Sequence, residues 1–195
     1  MAVPSPPISG DKIMLRRRAR EARRAFVEGL KTGERETLEQ DLADALRPLI
    51  ANCRVLGVYA PLPDEISPLP AAELARSNGA TIAFPTFADH QSPFRFLAGE
   101  PVEPGPFGIL QPPLASTEVI PDLVLVPLVA IDIGFNRLGQ GKGHYDRVLP
   151  ELKRRGTLAI GCGWAVQEVD HPIEAEAWDV VLDGFASPDG LEMRA

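Results

Sequence analysis

Apolar positions three and four residues apart open the chain and then give way to short β-branched runs. Leu15, Ala19, Ala22, Phe26 and Leu30 form one helical stripe, with Asp11 as its candidate N-cap. Leu38, Leu42, Ala45, Leu46 and Leu49 form a second stripe behind a turn at Thr32 and Gly33. The period changes at Arg54, where Arg54 to Ala60, bounded by Pro61, predicts a strand opening a βα unit. Its helix is expected from Pro70 to Ser77, followed by a strand at Thr81 to Phe84. Phe94 to Phe96 predicts a short strand, and Gly105 to Pro113 a turn-rich loop. Leu123 to Ile131 is almost continuous in Val, Leu and Ile, the pattern of a strand buried on both faces, so it is placed at the centre of a parallel sheet. A helix from His144 to Arg155, kinked or broken at Pro150, precedes strands at Leu158 to Cys162 and Val180 to Leu182.

This alternation predicts an α/β fold: a single three-layer domain with a central, mostly parallel sheet flanked by helices, and two N-terminal helices. The 195 residues, 45% of them hydrophobic, suffice for one such core and are short for two. The expected division is a flexible tail over 1–11 and one domain over 12–195. The tail has no apolar run behind a positive start, so it does not read as a secretory signal. The most apolar stretch is too short to span a membrane and holds Pro127. A net charge of -7 opposes a sequence-independent hold on nucleic acid. Cys53 and Cys162 stand in neither a CxxC nor a Cys/His spacing, which argues against a disulfide framework and a zinc site. The expectation is a cytoplasmic monomer acting on small molecules, without a nucleic-acid or membrane partner.

The chemistry concentrates between Asn136 and Asp146, in the run NRLGQGKGHYD. Gly139, Gly141 and Gly143 alternate with Gln140 and Lys142, which permits positive φ and brings successive N–H groups toward one anion. Arg137 and Lys142 add fixed charge, and a helix starting at His144 turns its positive end to the same place, so the loop is a candidate phosphate site. Asp146, in the first helical turn, is placed to hold a divalent cation bridging phosphate oxygens. Gly143 stands where a Walker A loop needs Ser or Thr, and His144 where GxGxxG needs its last glycine. A plain linking turn is the bland alternative, and it needs none of these charged residues. The scattered His90, His144 and His171, with no HExxH and no GxSxG, give no metal-hydrolase or serine-hydrolase pattern.

The run DLVLVPLVAID followed by NRLGQGKGHYDRVL resembles the 5-formyltetrahydrofolate cyclo-ligases, also called 5,10-methenyltetrahydrofolate synthetases. Further segments are similar in the same order: Lys12-x-x-Leu15-Arg16, Tyr59 to Ser67 with its acidic residue, Gly108-Ile109 before Pro112, and Asp179 in WDVVLD. The resemblance implies ATP- and Mg²⁺-dependent closure of 5-formyltetrahydrofolate to 5,10-methenyltetrahydrofolate. It implies that Lys12, Arg16, Arg137, Leu138, Gly139, Gln140, Gly141, Lys142, Gly143, His144 and Tyr145 hold ATP, with Lys142 and Arg137 as the catalytic cations. Asp146 and Asp179 would carry Mg²⁺, and Ala60, Glu65, Gln140 and His144 would meet the folate. Gln140, His144, Gln111 and Trp178 depart from the family's usual residues. The alternative is a catalytically silent folate- or nucleotide-binding relative of the same fold. Without the resemblance, the Arg16 to Arg24 run would read as a solvated helix face, and Glu65 as an exposed loop carboxylate.

Overall fold

A computed structural model describes residues 10–106 and 108–195 of the chain. The expected tail falls mostly on residues outside that range. Gly10 and Asp11 already lie in helix α1 (Gly10–Gly29), so Asp11 sits inside the helix and does not cap it. Three more helices follow: α2 (Glu34–Ile50), α3 (Leu69–Ser77) and α4 (His144–Arg154), with a 3-10 turn at Ala165–Gln167. The strands are β1 (Val55–Gly57), β2 (Thr81–Thr86), β3 (Arg95–Ala98), β4 (Glu103–Pro104), β5 (Leu110–Gln111) and β6 (Leu123–Pro127). After them come β7 (Ala130–Asp132), β8 (Arg137–Leu138), β9 (Leu158–Cys162), β10 (Glu168–Val169), β11 (Gly184–Ser187) and β12 (Gly190–Met193).

Seven strands form the main sheet in the order β12-β11-β9-β6-β1-β2-β3. The pairs from β11 through β2 are parallel, and β12 and β3 close the two edges antiparallel. Side chains alternate cleanly across it. Leu123 and Leu125 pack with α2 and α3 residues such as Leu46 and Ala72, whereas Val124 and Val126 pack with Leu149 and Leu152 of α4. That alternation is the expected three-layer arrangement, and each fully buried Leu or Val contributes about 1.5–3 kcal/mol. Gly161 lets the layers close. A Cβ there would lie 2.7 Å from Leu128 Cδ2 and 2.8 Å from Leu182 Cδ1.

Three expectations are corrected. The apolar run Leu123 to Ile131 is two strands in two sheets, because the Val129 N–H leaves the main sheet to bond Leu138 O at 2.7 Å. β7 then joins β10 and β8 in a small three-stranded sheet beside the main one. The last strand is not Val180 to Leu182. That segment is tied to loop and side-chain partners instead, with Leu182 N bonding Phe135 O, and Val181 O accepting from Lys153 Nζ. The pairing strand is β11, read poorly because Gly184 and Ala186 carry little β signal. Helix α4 runs through Pro150, which lies on its exposed face where a freed carbonyl can meet water.

Helix α1 packs over the small sheet through Leu15 and Ala19, and over the main core through Phe26 and Leu30. Ala22 of the predicted stripe is exposed, while Lys12 and Arg23 are buried, so the inward face is part apolar and part basic. This face looks onto the glycine-rich loop.

Candidate active site

One cleft of about 650 Å³ gathers α1, the loop between β8 and α4, the segment after β1 and the segment before β11. Along α1, Lys12, Arg16, Arg20 and Arg23 follow one another at intervals of three or four residues and so share a face. Each has a defined partner across the cleft. Lys12 Nζ donates to Asp179 Oδ2 at 2.8 Å and lies 3.4 Å from Glu176 Oε2. Arg16 Nε donates to Gly139 O at 2.9 Å. Arg20 donates to both the side-chain and main-chain oxygens of Gln140 at 2.7–3.0 Å. Arg23 is 2% exposed, donates to both oxygens of Asp64, and stands 3.5 Å from Glu65 Oε1.

The loop follows from its glycines. Gly141 has φ 95° and Gly143 φ 64°, left-handed values that a side chain would strain, while Gly139 has no positive φ. Gly143 is the N-cap of α4 and provides no side-chain cap, which keeps the helix's first N–H groups and its positive end directed at the cleft. Lys142 is exposed between the two left-handed glycines. Arg137 lies on β8, one element before the loop. Its side chain is 5% exposed, pairs with Asp146 and donates to Val180 O at 2.7 Å.

The far end of the cleft is acidic and aromatic. Glu65 is buried; its Oε2 accepts from Leu62 N at 3.0 Å and its Oε1 from Gln140 Nε2 at 3.2 Å. Burial pushes its carboxyl pKa up, against the hydrogen bond from Leu62 and the charge of Arg23. Phe87 meets His144 edge-on at 4.9 Å, and Phe94 meets Tyr145 at 5.0 Å. The Tyr145 hydroxyl is buried with no hydrogen-bond partner among the described residues, and burial raises its pKa, so it stays a donor. Arg147 Nη2 lies 2.8 Å from His144 Nδ1. Because a guanidinium only donates, Nδ1 is the acceptor and the ring proton sits on Nε2. Burial, with Arg147 and Lys142 nearby, pushes the His144 pKa down to about 4.

The cleft offers a cation two carboxylates. Asp146 gives one oxygen to Arg137, and its Oδ2 accepts no hydrogen bond from the described residues and faces Gly143. Asp179 Oδ2 accepts from Lys12 and from Glu176 N, leaving Oδ1 open. Among the described residues, no group of three His, Cys, Asp or Glu side chains is gathered for a metal. This donor set fits an ion such as Mg²⁺, which binds through one or two carboxylates and takes its other ligands from phosphate and water.

The family model described as the 5-formyltetrahydrofolate cyclo-ligase family matches residues 8–188. The chain belongs to that family. A 5-formyltetrahydrofolate cyclo-ligase from Mycolicibacterium smegmatis is 28% identical over 91% of this chain and 93% of its own length. The one from Mycoplasma genitalium is 30% identical over 70% of this chain and 72% of its own. The match to the Haemophilus influenzae protein is 37% identical and spans 49% of that relative, and the matches to the Escherichia coli proteins likewise span about half their length. Two solved 5,10-methenyltetrahydrofolate synthetases share the fold at 24% identity. The Aquifex aeolicus protein has a TM-score of 0.77 over 93% of this chain and 92% of its own, and the Mycoplasma pneumoniae protein 0.69 over 91% and 99%.

Every site residue named from the cyclo-ligase resemblance lines the one cleft, including Lys12 and Asp179, which are 167 residues apart. The basic run on α1 is divided: Arg17, Arg18 and Arg24 form a solvated face, whereas Lys12 and Arg23 are buried against acids distant in sequence, and Glu65 is buried with Arg23 rather than exposed. Sequence reasoning missed Tyr59, Phe87, Phe94 and Arg147, which also line the cleft. The aromatic residues could have been found only as core positions, since the wall and the core use the same rings. Gln111 has a structural reason. Its amide accepts from Phe87 N at 3.0 Å and donates to Phe87 O at 3.1 Å, a reciprocal pair that a carboxylate cannot make. Among the described residues no helix is long and apolar enough to cross a membrane.

Proposed function

We propose that this protein closes 5-formyltetrahydrofolate to 5,10-methenyltetrahydrofolate with hydrolysis of ATP to ADP and phosphate. The supporting observation is the chain of contacts from Arg20 through Gln140 to Glu65, which joins a cationic, glycine-rich end to a carboxylate-and-aromatic end in one cleft. ATP belongs at the first end, held by Lys12, Arg16 and the stretch Arg137 to Tyr145. Folate belongs at the second, where the Glu65 carboxyl accepts from the pterin amino and ring N–H groups, beside Ala60, Gln140 and His144.

A formyl oxygen is a poor leaving group. Transfer of the γ-phosphoryl group to that oxygen gives an imino-phosphate, N10 attacks its carbon and loses its proton, and inorganic phosphate departs. The protein's task is therefore alignment and charge neutralisation. Lys142 is assigned to the transferring phosphoryl group because it projects from the loop between two left-handed glycines. Arg137 neutralises charge beside it and sets the Asp146 carboxylate. Asp146 and Asp179 are assigned to Mg²⁺, which when bound neutralises the phosphate oxygens. Neutral His144, with its pKa near 4, adds no positive charge beside the pterin at neutral pH.

The test is spectroscopic. Protein mixed with ATP, Mg²⁺ and 5-formyltetrahydrofolate should generate the near-ultraviolet band of the methenyl product, and should need all three. Folate binding without any absorbance change would establish the silent-relative reading instead.

A further inference from the structure

We propose that Arg147 is an anion-binding residue at the cleft mouth, taking a carboxylate of the glutamate tail of the folate. This assignment rests on the folate reading above and extends it to a group that none of the other site residues serves. Arg147 lines the cleft and is exposed at its edge. The other arginines of the wall are committed: Arg16 to Gly139 O, and Arg137 to Asp146 and Val180 O. Among the described residues Arg147 has one hydrogen-bond partner, His144 Nδ1 at 2.8 Å.

The nearest acids along its own helix are already engaged. Asp146 pairs with Arg137, and Glu151, one turn on, pairs with both Arg154 and Arg155. The guanidinium is thus held by a ring nitrogen at one terminal nitrogen, on an exposed residue of the cleft wall that pairs with no acid among the described residues. A planar fork of donors matches a carboxylate or a phosphate in two-point geometry. Its position selects between those two sources. His144, which holds it, meets Phe87 at the aromatic end of the cleft. A pterin seated against Glu65 would leave its benzoyl-glutamate toward this rim, where the exposed Ile109 and Leu110 supply an apolar lip.

The experiment compares 5-formyltetrahydrofolate with 5-formyltetrahydropteroate, which lacks the glutamate, by calorimetric binding to wild type and to the variants Arg147→Ala, Arg147→Lys and Arg147→Glu. Wild type should bind the glutamate form about tenfold or more tightly than the glutamate-free form, the worth of one charge-assisted pair. Arg147→Ala should remove most of that preference, Arg147→Lys should restore part of it, and Arg147→Glu should invert it. Melting curves matching wild type would confirm that the variants fold. Equal loss for both ligands in Arg147→Ala, or no wild-type preference, would overturn the assignment. So would a loss that appears in ATP binding alone, which would make a nucleotide phosphate the anion. A wild type that binds neither folate form removes the folate reading itself, a failure distinct from the loss of tail preference.

Discussion

Arg23 ties the Glu65 end of the cleft to helix α1, and its replacement by Met should show how much of the fold depends on that tie. Met preserves most of the buried volume while deleting the charge. The guanidinium bonds both Asp64 oxygens at 3.0 Å, reaches Leu128 O at 3.3 Å and stands 3.5 Å from Glu65. Breaking a buried pair by removing one partner costs about 3–5 kcal/mol, because the remaining charge is left in low dielectric. The Asp64 side chain is 24% exposed and regains water, whereas that of Glu65 is 7% exposed and does not. The expected cost is therefore the low end, about 3 kcal/mol. For a chain of this size that lowers Tm by roughly 6–12 °C. The penalty should also depend on pH. Burial holds the folded pKa of Glu65 above its unfolded value. The carboxyl therefore favours the fold when protonated, and that contribution is lost as pH rises through the folded pKa. Removing Arg23 raises that pKa further, so the gap between variant and wild type should be widest at neutral pH and should shrink as pH falls into the carboxylate range. Urea melts at neutral and acid pH read both effects. A loss below about 1 kcal/mol, or a gap independent of pH, would refute the argument that Glu65 is the charge left stranded.

Lys142→Ala should abolish cyclisation and leave Tm within a degree or two, since an exposed loop side chain contributes within about 0.5 kcal/mol; full turnover would remove its assigned role. Asp146→Ala should displace the Mg²⁺ titration of activity to much higher concentration, and an unchanged titration would count against the metal assignment. For His144, a folded pKa pushed down to about 4 means its neutral form favours the fold above the unfolded value, about 6.5, and that contribution is lost as pH falls toward 4. The ring resonances should report a neutral imidazole at pH 6, and a midpoint near 6.5 would contradict the buried placement.

Some of this was legible because it depended on near neighbours in sequence. Alternating glycines announce a loop that needs left-handed backbone, and Gly141 and Gly143 have it. The alternating burial of Leu123 to Val126 follows from a strand covered on both faces. What was not legible depended on partners far away. Nothing around Lys12 or Arg23 says that Asp179 or Asp64 will meet them, so the helical period placed Ala22 inward and the basic residues outward, and the structure reverses this. The break after Pro127 is a matter of which carbonyl receives the Val129 N–H, and composition is the same on both sides of it.

The same distinction explains why the two ends of the cleft differ in how they are built. The glycine-rich loop and the helix it starts are a local motif, so a short sequence run carries them, although Lys12, Arg16 and Asp179 reach the same end from elsewhere in the chain. The Glu65 end is assembled from the segment after β1, the loop after β2, the β5 hairpin and the first turn of α4. It is held by single contacts such as Gln111 to Phe87 and Gln140 to Glu65. A change at the Gln111 contact moves a wall of the cleft without touching the glycine-rich run, whereas Gln140 belongs to that run and joins the two ends. The departure from the usual pattern at Gln111 therefore bears on the Glu65 end of the cleft alone, while those at Gln140 and His144 sit where the two ends meet.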